Sequence, residues 1–168
     1  IPAGATSTKI LPPANTGLGY LEIVPDQTLL ALADPNDLDL DGISGIPNWI
    51  SIPNYVDPRE DAVTQNGKYI GRFGKKAGVY SLLQQTVGAY NQDMGITSDF
   101  ERHDTYSHLE VDPEVSTQTI NAVVFYLQTL KAPIARKTGN EEIVNGKNIF
   151  LTIGCGKCHV PELKTGNS

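Results

Sequence analysis

Both cysteines of this 168-residue chain lie in one short motif, Cys155-Gly156-Lys157-Cys158-His159, and no other feature of the sequence constrains the fold as strongly. Two thiols three positions apart on a turn can each form a thioether with a vinyl group of haem, and the histidine that follows can bind the iron. The motif therefore predicts a covalently attached c-type haem held by Cys155, Cys158 and His159, in a chain that has to accommodate it.

The same Cys-x-x-Cys spacing has other uses, which the sequence leaves open. A thioredoxin-like thiol pair needs a βαβ context, and a zinc site needs two further Cys or His ligands at regular spacing. Neither is evident, because the other histidines, His103 and His108, lie far upstream. In protein made without the export machinery that attaches haem, Cys155 and Cys158 would be free thiols or a disulfide.

Helical periodicity recurs along the chain, whereas residues 1–19 are rich in Pro, Gly, Thr and Ala and are expected to be extended. Apolar residues at helical spacing predict four helices, at 25–33, 76–92, 113–130 and 141–152. Pro133 stops the third, and Asn140 is a suitable N-cap for the fourth. Asn66-Gly67 is a turn signal between short apolar segments and predicts a hairpin. The fold class is therefore mainly α, with long irregular loops and a small β-hairpin.

Two of these helices resemble parts of class I cytochromes c. The segment 145–150 leads into the motif as the first helix of such a domain does, with Gly146 and Phe150 in place of the small and aromatic residues that pack on the domain's last helix. The stripe 119–130 is similar to a closing helix, although an ordinary amphipathic core helix would show the same pattern. We therefore expect cytochrome c-like helices in two units: residues 1–134 as the latter part of a first domain, and residues 135–168 as the opening helix and attachment motif of a second.

Further motifs extend the resemblance over most of the chain. They are Asp34-Pro35-Asn36-Asp37, Asp41-Gly42-Ile43-Ser44-Gly45, Gly71-Arg72-Phe73-Gly74-Lys75, Asp93-Met94-Gly95-Ile96-Thr97 and the segment 154–163. In this order they are similar to the bacterial di-haem oxidoreductases, also described as thiol oxidoreductases, which are related to di-haem cytochrome c peroxidases. The resemblance implies an exported, periplasmic protein whose two haems pass electrons to or from peroxide or another substrate. It also implies an internal part of a longer chain, so we expect the full-length protein to be the enzyme and this stretch alone to be inactive.

A second candidate site lies in the loop that carries Asp37, Asp39, Asp41 and Gly42. Alternate carboxylates followed by glycine are typical of calcium loops, because the carboxylates converge on a hard cation and the glycine permits the sharp turn. The twelfth position is Asn48 rather than a bidentate glutamate, which disfavours an EF-hand proper. The loop therefore predicts a calcium site, with a solvated turn as the alternative.

The distal ligand of the haem iron is the least determined part of the site. In a class I domain it follows the attachment motif, but residues 160–168 contain no Met, His or Cys. Met94 is the candidate upstream ligand, with His103 and His108 as further options; the alternatives are a core methionine and surface histidines. We favour a ligand from a segment outside this sequence, which predicts that the apolar face of helix 141–152 is poorly covered unless helix 113–130 packs on it instead.

The acidic balance of the chain limits its partners. With a formal net charge of -6 and a pI of about 4.9, it would be repelled by a phosphate backbone, so no nucleic-acid partner is expected. No apolar run approaches the roughly 20 residues that span a bilayer, so no transmembrane segment is expected. The expected partners are an electron donor or acceptor protein and the remainder of the full-length chain. The predicted function is c-type haem electron transfer as part of a di-haem peroxidase-like oxidoreductase; the alternative is a non-catalytic, calcium-stabilised electron carrier or binding module.

Overall fold

The structure is a computed structural model that describes residues 4, 9, 11–106, 109 and 111–166. The described elements are α1 (Leu18–Glu22), α2 (Asp26–Leu30), β1 (Trp49–Ile50), β2 (Thr64–Gln65), β3 (Lys68–Ile70), α3 (Leu82–Gly88), α4 (Thr117–Thr129) and α5 (Glu141–Thr152). A π-helical segment, Ala89–Asp93, continues α3, and a 3-10 turn, Cys155–Lys157, follows α5. Helices, long irregular stretches and one small antiparallel sheet thus make up the described fold.

The predicted hairpin is confirmed. Asn66 and Gly67 both have positive φ, 51° and 72°, as a two-residue turn of right-handed twist requires, and β2 and β3 pair on either side of them. A third strand, β1, pairs with the other edge of β3 through Trp49 opposite Ile70, which gives the order β1-β3-β2. This strand was not predicted, because it is only two residues long and its partner is distant in sequence.

The prediction for residues 76–92 was right in its second half only. Residues 76–81 are not helical: Ala77 has a positive φ of 47°, and Val79 bridges Phe73 in antiparallel fashion. The helix begins after Ser81, whose hydroxyl accepts a hydrogen bond from the Gln84 amide at 3.2 Å, so the N-cap decides the start. After the π-helical segment the chain turns at Gly95, which has a φ of 72°.

The remaining helices agree with the predictions to different extents. Ser116 caps α4 through the Thr119 amide, so this helix begins four residues later than predicted. Helix α1 was not predicted, and α2 occupies only the first part of the predicted segment 25–33. The bounds of α5 agree with the prediction, and the Asn140 side chain accepts from the Glu142 amide as expected of its cap.

The core lies between α1, α3 and α4. Its fully buried side chains include Phe73, Leu82, Val87 and Ile120. Helices α1 and α4 approach so closely that a Cβ on Gly19 would lie 2.0 Å from the Gln128 main-chain oxygen. By contrast, α5 contains no buried residue, so the core belongs to the part of the chain before it. No described helix is long and apolar enough to cross a membrane.

Candidate haem-attachment site and acidic loop

Helix α5 delivers the Cys-x-x-Cys-His motif to the surface as one compact turn. Gly154 ends the helix with a φ of 90°, a left-handed conformation that favours glycine, and the 3-10 turn follows at once. The His159 amide donates to the Cys155 carbonyl at 2.9 Å, which closes the turn. The two cysteines and the histidine are therefore held together by local backbone hydrogen bonds.

The residues of this turn fit the demands of a covalently bound haem. Both thiols are free rather than joined in a disulfide; Cys158 is exposed and Cys155 is partly buried. The His159 ring lies 6.1 Å from the Phe150 ring, measured between centroids, at an angle of 57°. Apolar side chains around the turn are open to solvent: Ile149, Phe150, Leu151, Ile153 and Val160. A donor set of two accessible thiols and an imidazole beside uncovered apolar surface suits an iron porphyrin, whose body is apolar and whose metal needs an axial ligand.

The apolar face of α5 is poorly covered, as was expected for a haem whose distal ligand comes from another segment. Phe150 is 37% exposed and Ile149 is 58% exposed, although both are large apolar residues. A Cβ on Gly146 would meet no atom within 4 Å, so the predicted packing of Gly146 and Phe150 against a last helix is not formed among the described residues. The glycine that packs tightly is Gly156, where a Cβ would lie 2.9 Å from a Leu151 methyl group.

The acidic loop, residues 34–45, is organised by its own carboxylates. Asp37 accepts hydrogen bonds from the amides of Asp41 and Gly42 at 2.9 and 3.1 Å. Asp39 accepts from the Asp41 amide at 3.2 Å, and Asp41 accepts from the Ile43 amide at 2.8 Å. Gly42 has a φ of 84°, as the sharp turn requires. Alternate aspartates therefore bend the chain so that their carboxylates crowd together.

The carboxylates that converge are not the predicted set. Oxygen atoms of Asp34, Asp37 and Asp39 lie within 4.8 Å of one another. Asp41 is instead 3.4 Å from the Lys157 ammonium. Asp34 was missed as a candidate, although it stands three positions before Asp37; the hydrogen bond from its amide to the Gly45 carbonyl, 3.0 Å, closes the loop.

The upstream candidates for a distal ligand are separate from the motif. Met94 is 56% exposed at the end of the π-helical segment, so its alternative interpretation as a core residue was wrong. His103 is exposed, as predicted for a surface histidine, and its carbonyl accepts from the buried Asn91 side chain at 2.9 Å. Among the described residues, no hydrogen bond or ring contact joins Met94 or His103 to His159, whose ring contact is with Phe150, and His108 lies outside the described residues.

A groove of about 750 Å³ lies outside this core, between residues 55–61 and the adjoining parts of α1, α3 and α4. The chain that follows the motif reaches its wall, where the Gly166 amide donates to the Ile23 carbonyl at 2.8 Å. Tyr55 lines the groove and donates its hydroxyl hydrogen to Glu101 at 2.8 Å. Burial, and then this hydrogen bond to a carboxylate, raise the pKa of Tyr55 above its ordinary value.

Comparison with protein families connects this site to known proteins. Residues 8–168 match a family model described as "Di-haem oxidoreductase, putative peroxidase". Neither the comparison with curated proteins nor that with solved structures found a match. The family match spans nearly the whole chain, including the acidic loop and the Cys-x-x-Cys-His turn. The chain therefore belongs to the di-haem oxidoreductase family.

Proposed function

We propose that this chain is part of a di-haem, peroxidase-like oxidoreductase and that it carries one c-type haem on Cys155 and Cys158, with His159 as an iron ligand. One observation carries the proposal. Two unpaired, accessible thiols and a histidine share a single turn beside an uncovered apolar helix face, in a chain of the di-haem family. The haem, when bound, supplies one-electron transfer; the protein supplies the attachment, the ligand and the surroundings.

Each residue of the turn has a definite part in this proposal. The two thiols would attach the porphyrin covalently, and the His159 imidazole would bind the iron. Leu151, Ile153 and Val160 present apolar surface that would exclude water from the cofactor edge and, in exchange, lose their own exposure. The free energy from covering such surface is about 25 cal/mol per Å². Haem binding would thus also stabilise α5.

We further propose that the chain forms two cytochrome c-like units, with the division near residue 134. The core of the first part lies between α1, α3 and α4, whereas α5 has no buried residue. Residues 131–139 between them are all exposed and contain no helix or strand. In this arrangement α4 closes the first unit and α5 opens the second. Because thioether attachment of haem takes place outside the cytoplasm, we propose a periplasmic or otherwise exported protein.

The acidic loop is proposed to bind calcium. Three oxygen donors from Asp34, Asp37 and Asp39 within 4.8 Å of one another suit a hard cation, which would relieve the repulsion between their charges. In this proposal Asp34 takes the place expected for Asp41. The alternative of a non-catalytic carrier or binding module has no observation in its favour, since the matched family is one of oxidoreductases.

The haem proposal is tested with protein produced together with haem-maturation machinery. We expect a pyridine haemochrome spectrum of c type and haem staining that survives denaturing electrophoresis. Cys155→Ala together with Cys158→Ala should abolish that staining, and either single substitution should leave one thioether and shift the haemochrome band. Staining that persists in the double variant, or a wild-type protein without covalent haem, would contradict the proposal. Failure of hydrogen peroxide to oxidise the reduced haem of the full-length protein would remove the peroxidase part alone.

A further inference from the structure

Lys157, which stands between the two cysteines of the motif, reaches back to the acidic loop. Its ammonium group donates to the main-chain oxygen of Asp41 at 3.2 Å and lies 3.4 Å from a carboxylate oxygen of the same residue. The two residues are 116 positions apart in the chain. The interaction therefore joins the proposed haem-attachment turn directly to the loop.

Both partners of this contact are held in place by their own backbones. Asp41 accepts from the Ile43 amide with its other carboxylate oxygen and donates its amide to Asp37. Lys157 ends the 3-10 turn, and its amide donates to the Gly154 carbonyl at 3.1 Å. The aliphatic part of its side chain passes Gly154, where a Cβ would lie 3.7 Å from Cδ. The backbone is therefore hydrogen-bonded at both ends of the contact.

Few other contacts hold this segment. Among the described residues, polar links between residues 140–166 and residues 11–130 are made by Lys157 with Asp41 and by the Gly166 amide with the Ile23 carbonyl. Helix α5 adds no buried side chain. The Lys157 side chain is 43% exposed and that of Asp41 is 20% exposed, so the pair is partly screened by solvent, but it is one of only two polar links of this segment among the described residues.

We propose that the Lys157–Asp41 pair is a positioning latch: it orients the haem-attachment turn on the acidic loop, and its charges set the reduction potential of the haem attached there. The second half of this statement rests on the proposed haem function. Reduction adds one electron to the haem, so a cation on the attachment turn favours the reduced state and a nearby carboxylate favours the oxidised state. Lys157 is thus a positioning residue: it orients the attachment turn and changes the electrostatic potential at the haem.

The first experiment tests the latch in protein that carries no haem. Lys157→Asp and Asp41→Lys should each increase hydrogen–deuterium exchange in residues 154–158, and the double exchange should restore protection, because it rebuilds the pair with reversed polarity. Lys147→Asp is the matched control, since Lys147 is an exposed lysine of α5 and has no ion pair among the described residues. Unchanged exchange in both single variants would overturn the latch whether or not haem is attached.

The second experiment measures the midpoint potential of haem-loaded protein by mediated spectroelectrochemistry. Lys157→Met should lower the potential, and Asp41→Asn should raise it, whereas Lys147→Met should leave it nearly unchanged. A purely structural role would move both variants of the pair in the same direction. Shifts of the same sign, or none, would overturn the electrostatic part, while absence of covalent haem in the wild type would count against the proposed function and leave the exchange experiment to decide the latch.

Discussion

Removal of Asp26 should be the most damaging single change outside the haem site. Asp26 and Arg72 form an ion pair whose side chains are each 1% exposed. The second carboxylate oxygen of Asp26 accepts from the Val63 amide at 2.7 Å, and Arg72 also donates to the carbonyls of Leu21, Glu22 and Val24. The pair therefore links the junction of α1 and α2 to the chain on both sides of the hairpin, since Val63 precedes β2 and Arg72 follows β3.

The expected loss of stability follows from the two groups that lose their partner in Asp26→Ala. Arg72 would remain as a buried cation without its counter-charge, and the Val63 amide would lose its acceptor. Removing one partner of a buried pair costs about 3–5 kcal/mol, against a total stability of about 5–15 kcal/mol for a domain. For a chain of this length, the expected fall in Tm is roughly 6–20 °C.

Equilibrium unfolding in urea, followed by the fluorescence of the single tryptophan, measures this loss. The matched control is Asp61→Ala, because Asp61 pairs with Arg59 at 2.7 Å but is 48% exposed. Exposed pairs contribute about 0–1 kcal/mol, so the control should stay close to the wild type. If Asp26→Ala lowers the free energy of unfolding no more than Asp61→Ala does, the buried pair does not have the proposed structural role.

Three further outcomes are expected. Gly19→Ala should destabilise the protein by about 1–3 kcal/mol in urea unfolding, because its Cβ would meet main-chain oxygen of α4 at 2.0 Å, whereas Gly88→Ala, with no atom within 4 Å, should be neutral or stabilising. Calcium at a hundredfold excess over Kd should add about 2.7 kcal/mol to the free energy of unfolding and so raise the Tm relative to chelator, and Asp39→Ala should remove the rise; identical melting curves would favour the solvated turn. Asp99 accepts two hydrogen bonds at the start of α4, which hold its pKa below the ordinary 3.8. The wild type should therefore be more stable than Asp99→Asn at any pH above 3.8, and the difference in the free energy of unfolding should disappear as pH falls through the lowered pKa. A difference in urea unfolding that does not change with pH would refute this prediction.

Most local features could be predicted because they depend on residues within a turn or two of each other. The N-cap at Asn140 and the bounds of α5 are examples, as is the hairpin turn at Asn66-Gly67. The prediction failed over residues 76–81 because Val79 pairs with Phe73 there, and a strand-like bridge overrides helical periodicity. The same limit applies to Asp34, which joins the acidic cluster only because the loop closes through Gly45.

The sequence by itself determined which chemistry the chain can carry, since the order Cys155, Cys158, His159 and the alternating aspartates place those groups on one turn and one loop. Only the tertiary structure decided how these parts meet. The Asp26–Arg72 pair joins residues 46 positions apart, and the Lys157–Asp41 contact joins residues 116 positions apart. Such pairings depend on how the whole chain closes around its core, and periodicity, which records only the neighbours of each residue along the chain, carries no information about them.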